Sequence, residues 1–131
     1  MRWGSYVHKA RILDPLVLPN ETALEMATIN GAGAMGLQDQ IGSLDVGKEA
    51  DFVVFDLGRP GLTPHIDPVS TLVCAATGGD MNTVVIGGRV VVENGQALTM
   101  DEERILREAG ERATAVCARA GIEIKLRWPV M

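Results

Sequence analysis

Two histidines, two cysteines and a few paired carboxylates are the residues of this chain whose types and spacing could do chemistry. A hydrolytic metal site needs about three protein ligands converging on one ion, with a further position left open for water. His8 lies in an opening segment where Trp3, Val7 and Ala10 mark one helical face, and no second ligand stands at i+4. It reads as a partly exposed helix residue. His65 sits in Thr-Pro-His-Ile-Asp-Pro at 63–68, just before a helical pattern. A sharp reading pairs it with Asp67 as base or ligand. The plainer one gives Asp67 the role of N-cap, with Pro68 at the first helical position and His65 in the approach loop. Cys74 and Cys117 stand apart, with no Cys-x-x-Cys pair, and read as reduced core residues. Glu102-Glu103 and Glu108/Glu111 have arginines within helical reach and read as a solvated face rather than as general acids or bases. No catalytic, cofactor-binding or metal-ligating residue is assigned from these groups.

The elements that would position such residues are legible in outline. Residues 20–29 carry Ala23, Leu24, Ala27 and Ile29 on one helical face, with Asn20 expected as N-cap after Pro19. Asn30-Gly31 is expected to break that helix, residues 32–35 to form one more compact turn, and Gly36 to close it in the left-handed conformation. Residues 42–48 form a turn-rich crossing into a strand at 50–57, whose near-continuous apolar centre predicts burial on both faces. Residues 67–77 read as a helix ended by Gly78-Gly79. Residues 83–86 and 89–93 are strands joined by the two-residue turn Gly87-Gly88, and Asn94-Gly95 leads to a short strand around 96–99. The glycines are hairpin glycines; none has the strand-to-helix spacing of a phosphate cradle. Residues 99–121 form the last helix, with a Thr99/Glu102 capping box, Glu103/Arg107 and Glu108/Arg112 pairs, and an inward stripe of Leu106, Ala109, Ala113, Val116, Cys117 and Ala120. The tail from 122 alternates weakly through Ile124, Leu126 and Trp128, as an extended segment would.

Several motifs together resemble one family. Ala-Leu-Glu-Met-Ala-Thr-Ile-Asn-Gly-Ala-Gly-Ala-Met-Gly-Leu at 23–37 and Gly-Ser-Leu-Asp-Val-Gly-Lys-Glu-Ala-Asp-Phe-Val-Val-Phe-Asp at 42–56 are similar to the C-terminal part of the amidohydrolase superfamily. The branch is that of guanine, cytosine and S-adenosylhomocysteine deaminases and triazine hydrolases. Residues 10–15, 67–73 and 81–95 continue the resemblance, which covers nearly the whole chain.

The resemblance implies an α+β fold: a C-terminal remnant of a (β/α)8-barrel hydrolase. Residues 1–37 would match the last barrel helices, 42–98 part of a flanking composite β-sandwich with its helix at 67–77, and 99–121 a C-terminal helix, within one domain. Such barrels run to roughly 250 residues. Their zinc or iron is held by a His-x-His pair, two later histidines and an aspartate near the eighth strand, all of which would precede this chain. The chain is then expected to be a fragment or internally initiated form, inactive alone, with no cofactor of its own. Its parent would act on carbon–nitrogen bonds, deaminating or dechlorinating a small heteroaromatic substrate. A second class stays open: a stand-alone structural or interaction module without catalysis. In that second class strand 50–57 and the 83–93 hairpin, which the resemblance implies would normally pair with strands from a missing N-terminal end, leave open edges, which predicts a homo-oligomer.

Composition bounds the rest. A formal net charge of −5 with 47% apolar residues argues against disorder and offers no basic surface for nucleic acid. No apolar run approaches the 18 or so residues of a membrane span, no signal peptide is recognisable, and two free thiols suit the cytoplasm.

Overall fold

The computed structural model describes residues 1–123 and 128; most of the weakly alternating tail lies outside the described residues. The chain falls into two compact units, Met1–Leu98 and Thr99–Met131. The fold is α+β, with helices and one antiparallel sheet.

The first unit opens with three helices, α1 (Arg2–Ile12), α2 (Asn20–Ala27) and α3 (Ile29–Ala34). On α1 the expected apolar face is turned outward: Trp3 and Val7 are exposed, whereas Ser5 is fully buried. Ser5 is small enough for close helix contact and its hydroxyl reaches the Leu18 carbonyl at 3.5 Å. The junction of α2 and α3 falls at Thr28, not at Asn30-Gly31, which lie inside α3. Thr28 turns its hydroxyl back on the Leu24 carbonyl at 2.7 Å and breaks the helical dihedrals there. Gly36, at φ 71°, closes α3 as expected, and the amide of Leu37 reaches the Ala32 carbonyl at 2.9 Å.

The sheet is a meander in sequence order: β1 (Phe52–Phe55), β2 (Met81–Ile86), β3 (Arg89–Glu93) and β4 (Gln96–Ala97). Both hairpins are as expected. Gly87 and Gly88 (φ 54° and 74°) and Asn94 and Gly95 (φ 52° and 75°) supply the two consecutive positive φ angles that a tight two-residue turn requires. The strand predicted over 50–57 is shorter, and its burial is a correction. Phe52, Val53 and Val54 are 38%, 43% and 45% exposed, because β1 is an edge strand paired only with β2. Of the 83–93 hairpin, β2 has no open edge, since β1 covers it.

Between β1 and β2 lies α4 (Pro68–Cys74), shorter than the predicted 67–77. Asp67 caps it as expected, accepting from the amides of Val69 (3.0 Å) and Ser70 (3.2 Å). Just beyond its end, Arg2 donates to the carbonyls of Ala75 and Ala76 at 2.7 and 2.9 Å. Gly78–Asp80 form a separate 3-10 turn closed by a Thr77/Asp80 capping box.

The second unit is α5 (Glu102–Arg119). Its cap is Asp101, whose carboxylate accepts from the Arg104 amide at 3.0 Å, instead of the expected Thr99/Glu102 box. Asp101 stands at the N-cap itself, so it wins over the more distant threonine. Glu108 pairs with Arg104 and Arg112 at 3.2 and 3.4 Å; the expected Glu103/Arg107 pair is not formed. No residue of α5 is buried, and its predicted inward stripe is open, with Leu106 67% and Val116 49% exposed.

Candidate functional site

Each candidate side chain has a definite place. His8 is an exposed wall residue of an open groove of about 220 Å³ between α1 and α2, which Ser5, Leu18, Ala23 and Met26 also line. His65 is exposed in the loop before α4. The carboxylate that a histidine base there would need belongs to Asp67, and α4 uses both of its oxygens. The hydrogen bond from the Ser70 hydroxyl, with the two amides, holds the Asp67 carboxyl below the usual carboxylate range. Among the described residues, no three His, Cys, Asp or Glu side chains come together in a way that could hold a metal ion. The described residues therefore do not form the ligand set of a hydrolytic metal centre.

What the structure does bring together is a polar joint between α1, α2 and α4 that the sequence does not announce. Asn20, expected as a cap, is the first residue of α2, and its side chain turns to α4. Its amide donates to the Ser70 hydroxyl at 2.9 Å and its carbonyl accepts from the Cys74 thiol at 3.5 Å. Ser70 in turn donates to Asp67. The Tyr6 phenol of α1 is held above its ordinary value, chiefly by its interaction with the neighbouring Cys74 side chain. Cys74 is half-buried in this joint and Cys117 is half-buried on α5; both are free thiols.

The signature residues are likewise spent within the fold, on backbone or on one another. Asp51 accepts from the amide of Gly87 at 2.6 Å, while the Gly88 amide reaches the Ala50 carbonyl at 3.1 Å, so β1 is pinned to the β2–β3 turn. Gly42, at φ 94°, passes so close to α3 that a β-carbon there would meet the Ala32 methyl at 2.8 Å and the Thr28 carbonyl at 3.1 Å. Lys48 donates to the Ser43 hydroxyl at 2.7 Å, with Asp45 at 3.7 Å. The Glu49 amide reaches back to the Gln40 carbonyl at 2.8 Å. Every polar group of 42–51 named here closes a loop or a turn.

The sequence profile of the amidohydrolase family matches residues 1–91. The chain belongs to the amidohydrolase family. It is 41% identical over 113 residues to the 5-methylthioadenosine/S-adenosylhomocysteine deaminase of Syntrophomonas wolfei, covering 86% of this chain and 26% of that protein. It is 42% identical over 120 residues to the 5'-deoxyadenosine deaminase of Methanosarcina acetivorans, covering 92% and 27%. Among solved structures, an adenosine deaminase from Xanthomonas campestris with bound zinc matches at a TM-score of 0.83 and 31% identity, covering 89% of this chain and 27% of that one. The zinc complex of an atrazine chlorohydrolase from Arthrobacter aurescens matches at 0.65 and 30%, covering 72% and 20%. The chain thus spans about a quarter of the length of the curated relatives it matches. Its helices and sheet correspond to a portion of a (β/α)8-barrel amidohydrolase, and it is related to enzymes that act on carbon–nitrogen bonds.

Proposed function

We propose that this chain is the C-terminal brace of a metal-dependent amidohydrolase that deaminates an adenosine-type or other small heteroaromatic substrate. The carrying observation is the likeness to the zinc-bound adenosine deaminase over 89% of this chain and only 27% of that one. The placement of the polar residues supports the same reading. Asp51 and Asp67 satisfy a turn amide and a helix end, Asn20 ties α2 to the Ser70 and Cys74 side chains of α4, and the described residues offer no ligand set for zinc. In this reading the metal, zinc or iron, is held by a preceding part of the polypeptide, and α1 to α4 and the sheet support the barrel that positions it. Dechlorination of a triazine ring is the alternative within the same class, since a chlorohydrolase matches as well. The deaminase reading stands ahead of it because the Syntrophomonas wolfei and Methanosarcina acetivorans relatives are both deaminases of adenosine derivatives.

A cytoplasmic location belongs to the same proposal. Two free cysteines support it, and no helix among the described residues is long and apolar enough to cross a membrane.

A graft tests the proposal. Exchanging the matched segment of the Syntrophomonas wolfei deaminase for this chain is expected to leave an enzyme that releases ammonia from 5-methylthioadenosine within about tenfold of the parent rate. A folded, metal-loaded graft with no turnover would contradict it.

A further inference from the structure

We draw no further inference here: the strongest candidate, the outward apolar face of α1 at Trp3 and Val7, is open only among the described residues of a chain that spans about a quarter of the length of its relatives, and nothing in the structure shows what covers it.

Discussion

The signature segment with its hairpin and the helix α5 spend their polar residues in opposite ways. In the first, a carboxylate or a glycine is committed to a backbone far away in sequence: Asp51 to Gly87, and Gly42 against Ala32 and Thr28. In α5 the polar groups serve their own helix, with Asp101 capping it and Glu108 held between Arg104 and Arg112. The same residue types thus specify a tertiary arrangement in one region and a local helix in the other. A motif that names an enzyme family can therefore be a folding motif, with its chemistry directed at the protein's own backbone.

The difference predicts unequal penalties. Gly42→Ala should be the most damaging change, costing about 3 kcal/mol or more, because the added carbon overlaps the Ala32 methyl at a φ of 94°. Urea unfolding of the first unit would show it as a lowered midpoint, and an unchanged midpoint would remove the close-approach argument. Asp51→Ala should follow at about 2 kcal/mol, since it strips an ionised acceptor from the Gly87 amide, which is 2.6 Å away. Amide exchange should report that loss at the β2–β3 turn first.

Asn20→Ala is expected to cost about 1–2 kcal/mol through the two bonds it makes to α4, and to speed alkylation of Cys74 but not of Cys117. Equal acceleration at both thiols would mean general loosening rather than a broken joint. Asp101→Ala should cost about 1 kcal/mol of α5 helicity, with exchange in residues 1–98 unaffected.

The pH response should be the mildest effect. Asp67 and Asp80 have folded values below the ordinary carboxylate range, held there by the Ser70 and Thr77 hydroxyls and neighbouring amides. A depressed folded value means that their contribution is fully present above the unfolded value near 3.9 and is lost as pH falls below it. Thermal unfolding between neutral pH and pH 3 should therefore fall off only at the acid end, and Asp67→Asn with Asp80→Asn should flatten that decline.

Features that were legible in the sequence are those whose cause is local. Asp67-Pro68 begins a helix, Gly87-Gly88 and Asn94-Gly95 make turns, and Gly36 closes α3 because each depends on a few adjacent dihedrals. The Thr77/Asp80 box is equally local, and its Thr-x-x-Asp pattern was there to be read. Asn20 misleads because a tertiary partner outbids the cap. Trp3 and Val7 mislead because helical periodicity finds an apolar stripe but not the element it faces, and here small Ser5 makes the close contact. Continuous apolarity in β1 likewise indicates a need for cover without naming what provides it. The family was legible from motifs at 23–37 and 42–56, and the matching profile over residues 1–91 agrees. The role of Asp51 was not, since it depends on a turn 36 residues away.

The central claim is that these residues brace a metal hydrolase and do not hold its metal. Zinc content of the isolated chain, after equilibration with zinc and removal of excess, tests it most directly. The account predicts well below about 0.1 zinc per chain, since no three ligands converge among the described residues. Binding of about one zinc per chain that is lost in His8→Ala or His65→Ala would contradict it and move the active centre into this chain.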